Sequence, residues 1–145
     1  MQSLGARRKE TIRRLFAMYS DGHWAEANQL YLTEDCAWEI LPQSVYSRRT
    51  KADHAEYLRG VLADFSSFSI SPSLVVHEDG VVFASCRSKA EHKLGGAYGQ
   101  DYTFTFFFAD SSAEKIREVR ELVDSRYSMR FFEKVDKSKR ARAAL

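Results

Sequence analysis

Two phenols and a carboxylate on the apolar faces of alternating runs are the residue types of an acid/base site. Tyr98 and Tyr102 lie in YGQDYTFTFFF, and Glu121 follows after a turn in KIREVRELVDS. The tyrosines are four residues apart in a segment that alternates like a strand, so they share a face. Glu121 stands between Val119 and Val123 in a second alternating run. A carboxyl group aimed into an apolar interior is costly unless hydrogen-bonded, and its pKa rises. A neighbouring phenol can satisfy it and exchange a proton with it.

Alternation extends the set. Val82, Ala84, Cys86, Ser88, Ala90 and His92 form a small, neutral face that suits packing under helices, with His92 at its end as a reserve acid or base. Tyr98, Tyr102, Phe104, Phe106 and Phe108 make an aromatic inner row, and Trp38 and Ile40 point inward from an earlier strand. Trp38, His54, Tyr57 and Phe104 are the candidate substrate contacts. Asp101 is out of phase with both tyrosines and is left outside the site. Each candidate has a plainer reading. A β-bulge would turn Glu121 to solvent, the tyrosines could be wet rim residues, and His92 lies near a glycine loop. His54 lies in the first turn of a helix, where surface residues are common, and Trp38 has the character of a core residue.

The elements that must position these groups are readable from period. Residues 6–19 form an amphipathic helix with Ile12, Leu15, Phe16 and Tyr19 on one side and Arg7, Arg8, Arg13 and Arg14 on the other. Asp21-Gly22 ends it, and a shorter helix follows at 23–31. CAWEIL (36–41) is a short strand stopped by Pro42, and 42–50 reads as a polar loop holding Tyr46, Arg48 and Arg49. Thr50 caps a helix over 51–64, with Asp53 in its first turn. From Phe68 the period becomes two, giving strands at 68–78, 81–93, 98–109 and 114–123, the first two joined by the hairpin signal Asp79-Gly80. Asp124-Ser125 opens a last helix over 125–133. Helices segregated before a curled, mostly antiparallel sheet give an α+β cone whose open end is a pocket.

The chain has 145 residues, 44% apolar and 29% charged, which predicts one domain over 1–133. Ten Phe, seven Tyr and two Trp suit a dense core or a pocket for a large apolar ligand. The formal charge of +2 is uneven: residues 134–145 carry five basic residues against Asp136, leaving 17 basic and 19 acidic residues elsewhere. That body is not a nucleic-acid binder by charge, and the basic segment 134–145 reads as a solvated, frayed tail. Cys36 and Cys86 sit in apolar surroundings as buried free thiols, and no metal-ligand spacing occurs. No apolar run suggests a membrane partner, so an intracellular, cytoplasmic protein is the simplest reading.

The segments ETIRRLFAMYSDGHWAEANQLYLTEDCAWEI, GAYGQDYTFTFFF and KIREVRELVDSRY resemble the SnoaL-like branch of the nuclear transport factor 2-like superfamily, over about residues 8–133. The likeness is greatest to small fungal members of polyketide, terpenoid and alkaloid pathways. The resemblance implies an α+β cone with a deep pocket, a homodimer formed through the sheet, and cofactor-independent isomerisation, cyclisation, dehydration or rearrangement of a small-molecule substrate. In the fungal branch a tyrosine pair and a glutamate before a Val-Asp step line the pocket, and Tyr98, Tyr102 and Glu121 match those positions. Bacterial polyketide cyclases favour an Asp/His pair that is not placed here, which puts aldol cyclisation of an aromatic polyketide behind the other reactions. The superfamily also holds binding domains without catalysis, so a non-catalytic binding or dimerisation module is the alternative.

Overall fold

A computed structural model describes residues 1–145. Helix α1 (Leu4–Ser20) is capped by Ser3, whose side chain accepts from the Ala6 N–H, and it buries Ile12, Leu15, Phe16 and Tyr19. Then come α2 (Trp24–Tyr31), β1 (Leu32–Leu41), β2 (Arg48–Thr50) and α3 (Lys51–Leu62). The Thr50 hydroxyl accepts from the Asp53 N–H, the expected cap. The rest is β3 (Phe65–Glu78), β4 (Val81–His92), β5 (Gly96–Tyr98), β6 (Asp101–Phe108), β7 (Ile116–Val123) and α4 (Ser125–Ala143). No helix is long and apolar enough to cross a membrane.

The strands form one seven-stranded sheet in the order β2-β1-β7-β6-β4-β3, with β5 on β4. All pairs are antiparallel except β1 with β7. Burial alternates strictly along β4, with Val82, Ala84, Cys86, Ser88, Ala90 and His92 inside. Register then lines up rows across the inner face. Trp38 pairs with Val119 and Val119 with Phe106, while Ile40 pairs with Glu121 and Glu121 with Phe104. α1 closes this face, with the Phe16 ring 5.1 Å from that of Phe104 and 5.9 Å from that of Phe106.

Four expectations change. The run 98–109 is two strands, because Gly99 and Gln100 leave the ladder; the Ser88 N–H bonds the Gln100 carbonyl there, so Tyr98 and Tyr102 stay in phase. Residues 48–50, read as loop, form β2 on the edge of β1. Arg8, placed on the polar face, is 3% exposed: its guanidinium donates to the carbonyls of Gly80, Asp110 and Ser112, at 3.1, 2.5 and 2.8 Å. Thr11 adds a bond to the Ala113 carbonyl, so α1 is fastened to two turns far away in sequence.

The last correction concerns the C-terminus. α4 does not stop at 133 before a frayed tail; it runs to Ala143, and Val135 is buried against the same cluster as Ala90, Tyr98 and Phe131. Gly95 permits this approach, since a Cβ there would lie 2.6 Å from Phe131 Cζ and 3.0 Å from Val135 Cγ2. The Lys134 ammonium donates to the Gly95 carbonyl at 2.9 Å.

Candidate active site

β7 carries Glu121 inward. The strand has a register shift, but it falls near Phe107 and Phe108, before Glu121, so the parity of Val119, Glu121 and Val123 survives. Trp38 is paired with Val119, one step along the same face, and its indole Nε1 donates diagonally to Glu121 Oε1 at 3.0 Å. Burial raises the Glu121 carboxyl to about 7, against the pull of the Trp38 hydrogen bond and the Arg49 charge. A carboxyl group near neutrality can both give and take a proton.

Two cavities share this group on their walls. An outer cavity of about 250 Å³ is walled by α3, the 42–47 loop, the ends of β5, β6 and β7, and the start of α4. A smaller inner chamber of about 70 Å³ lies among Phe16, Tyr19, Trp38, Ile70 and Phe104 on the α1 side of the sheet. Glu121, Tyr102 and His54 line both.

His54 is 1% exposed and stacks on Trp38, with ring centroids 4.0 Å apart. Neither of its nitrogens has a hydrogen-bond partner. Burial, aided by the Arg49 charge, pushes its pKa down to about 3, so the ring is neutral. Arg49 itself lies 4.1 Å over the Tyr57 ring. Tyr57 lines the outer cavity, and burial lifts its hydroxyl to about 12.

Tyr98 and Tyr102 line the outer cavity as expected, but both hydroxyls already have partners. The Tyr102 hydroxyl donates to Ser88 Oγ at 3.1 Å, and the Tyr98 hydroxyl shares a hydrogen with Ser128 Oγ at 2.9 Å. Burial raises both phenols, Tyr102 well above its ordinary value. Trp38 and Phe104 border the inner chamber rather than the outer cavity.

His92 departs from expectation. It is buried on the predicted face, yet lies on neither cavity wall. Its Nδ1 accepts the N–H groups of Leu94 and Gly95 at 3.0 and 3.1 Å, and Phe65, Phe131 and Phe132 pack around its ring. It holds a turn together. Asp101 points outward and pairs with Arg87.

Sequence reasoning missed Gln100 and Ser128. Gln100 is 1% exposed, donates to the Asp124 carbonyl and Ser128 Oγ, and accepts from the N–H groups of Asp101 and Asp124. It therefore ties the β5–β6 break to the first turn of α4 and sets the serine that holds Tyr98. The alternation that joins Tyr98 to Tyr102 includes Gln100. Ser128 carries no such local signal. One carboxylate and one imidazole line the cavity, short of the three protein ligands of a catalytic zinc site.

No protein-family model matches the sequence, and no curated protein matches it. Solved structures do match. The BvnE pinacolase from Penicillium brevicompactum superposes with a TM-score of 0.84 at 18% identity, over 94% of this chain and 96% of that one. PrhC from Penicillium brasilianum gives 0.85 at 12% identity, over 94% and 93%. An NTF2-like protein from Burkholderia pseudomallei gives 0.72 at 10%, over 86% and 96%. The fold is nuclear transport factor 2-like. The same NTF2-like architecture recurs in a Jannaschia protein provisionally described as a SnoaL-like polyketide cyclase, with a TM-score of 0.74 at 14% identity. At these identities the likeness is one of architecture.

Proposed function

We propose that this chain is a cofactor-independent acid/base enzyme of secondary metabolism, acting on a largely apolar, oxygenated small molecule by isomerisation, cyclisation, dehydration or rearrangement. The observation that carries this reading is the Glu121 carboxyl, raised to about 7 in an aromatic cavity and held by one indole N–H. Structural stability gains nothing from such a group, whereas proton transfer does. Glu121 serves as the proton-transfer group or the anchor for a developing cation. Tyr98 and Tyr102 offer oxygen lone pairs and, after exchange with their serines, protons. Trp38, Tyr57 and Phe104 shape the wall, and the likeness in fold to a protein described as a fungal pinacolase supports the reading.

The test is turnover by purified protein of metabolites from the host extract, followed by mass spectrometry. Glu121→Gln should fold normally and lose about 100- to 10,000-fold in rate, and Tyr102→Phe should lose a smaller factor. Wild-type rates in both variants would end the proposal.

A second reading is a non-catalytic binding module. The serine partners of Tyr98 and Tyr102 favour it, because satisfied hydroxyls suit a fixed wall. Under it the bound metabolite is recovered unaltered, and Glu121→Gln changes affinity alone.

A homodimer through the sheet completes the proposal. Val76, Phe83, Leu74 and Leu122 are exposed on the face away from the helices. Pairing aligns them in two rows, Val76–Phe83–Thr105–Arg120 and Leu74–Ser85–Thr103–Leu122. Val76, Phe83 and Leu74 cluster at one end of these rows, and exposed apolar side chains grouped in this way support a partner surface.

A further inference from the structure

Four phenols line the outer cavity, Tyr46, Tyr57, Tyr98 and Tyr102, and they are not equally free. Tyr98 and Tyr102 are bonded to Ser128 and Ser88. Burial raises the Tyr46 phenol, and Ser128 beside it pulls the other way. No side chain hydrogen-bonds the Tyr57 hydroxyl. The unpartnered nitrogens of His54 are sealed, whereas the Tyr57 oxygen keeps accessible surface. Burial lifts that hydroxyl to about 12, so the surface it keeps is in the sheltered cavity and not in bulk water.

Two elements fix the ring. Tyr57 follows His54 by about one turn of α3, and their ring centroids are 6.1 Å apart at 29°. Arg49 comes from β2, where it pairs with Trp38 and so shares the inward side of the sheet. Its guanidinium carbon lies 4.1 Å from the Tyr57 ring centroid, and its Nη1 is buried without a hydrogen-bond partner. A cation on a ring face is held by the π-electrons. It also favours negative charge on the phenol oxygen, which makes the O–H a better donor and a poorer acceptor. A donor left unbonded in a dry cavity is costly unless the ligand brings an acceptor.

We propose that Tyr57 is the group that donates a hydrogen bond to the substrate, that Arg49 is its positioning residue, and that the substrate oxygen it meets is a carbonyl on an apolar skeleton. This rests on the reading of the Glu121 cavity as the reaction site. It assigns the first polar contact to the phenol that has no bond to give up.

The test uses 2-decalone labelled with ¹³C at the carbonyl, and 2-methylenedecalin, its isostere without an acceptor oxygen. Both are bound at about pH 8, where Glu121 is mostly ionised and donates nothing. A carbonyl carbon resonates further downfield when its oxygen accepts a hydrogen bond. On the wild-type protein the bound ketone should keep the downfield position it has in water. On Tyr57→Phe it should move to the position it has in cyclohexane. Its affinity should fall about five-fold, while the olefin binds both proteins alike. Arg49→Met fills similar space without the charge, and should bind the olefin normally with the ketone signal at an intermediate position. Arg49→Lys, which restores the charge, should return most of the shift. Circular dichroism checks that each variant is folded.

A wild-type ketone signal at the cyclohexane position overturns the inference without any variant. A ketone that does not bind, or a signal that stays downfield in Tyr57→Phe, overturns it as well. A shift left whole in Arg49→Met overturns the role of Arg49. If Glu121→Gln still abolishes turnover in these cases, the acid/base reading stands without Tyr57; if turnover is unaffected too, both end.

Discussion

At the scale of single residues, Glu121 and His54 meet one cost in opposite ways. His54 is buried and Glu121 half-buried on the cavity wall, both near aromatic rings, and each is driven toward its neutral form. For Glu121 the folded value, about 7, lies above the ordinary 4.5. Its contribution to stability is therefore fully present below the lower value and is lost as pH rises through the higher one. The loss amounts to about 3 kcal/mol at alkaline pH. Glu121→Gln should remove that loss, so the variant melts higher than wild type at pH 8 and alike at pH 4. His54 has the reverse sign: its folded value, about 3, lies below 6.5, so stability falls in acid. Denaturant melts of wild type and Glu121→Gln from pH 3 to 9 read both slopes, and an alkaline slope that persists in the variant would contradict the assignment.

At the scale of elements, two fastenings set the shape of the cone. Arg8 ties α1 to the β3–β4 and β6–β7 turns through three backbone carbonyls. Arg8→Met should lower unfolding free energy by about 2–3 kcal/mol, because charge-assisted bonds are lost and part of the acceptor set stays buried. Urea titration measures it, and an unchanged midpoint would show that the turns close without the arginine. The other fastening is the second half of α4, where Val135 and Lys134 meet Gly95. A chain ending at 133 should lose about 2 kcal/mol from the burial of Val135 alone. Met129 and Phe132 on the cavity wall should become more mobile in its NMR spectra. A frayed tail would cost nothing when removed.

At the scale of the whole molecule, the sheet has one face committed to the cavity and one with exposed apolar side chains. Val76 and Phe83 pair directly across β3 and β4 near the hairpin end of that outer face. Sedimentation equilibrium should find a dimer, and Phe83→Lys should give a monomer with its cavity intact, because a charge cannot be desolvated there without a partner. A wild-type monomer at high concentration would remove the dimer from the proposal. In the proposed dimer, assembly and chemistry are separate: one set of alternate residues faces the partner and the other faces the cavity.

Much of this was legible along the chain. Alternation is a consequence of strand covalent geometry, so it assigned Tyr98, Tyr102, Trp38 and Glu121 to the inner face before any tertiary contact was known. Helical period did the same for Ile12, Leu15 and Phe16, and the Thr50 cap marked the start of α3. Parity states a side but not a place along it. His92 is on the predicted face, yet the part of the sheet it occupies is covered by Phe131 and Phe132, whereas Glu121 lies where α3 and α4 leave space. Arg8 was polar by helical position and buried by carbonyls 72 to 104 residues away. Local geometry determined which side chains look inward. Only the docking of the helices decided which of them line a cavity, because that depends on contacts between segments with no sequence relation to one another.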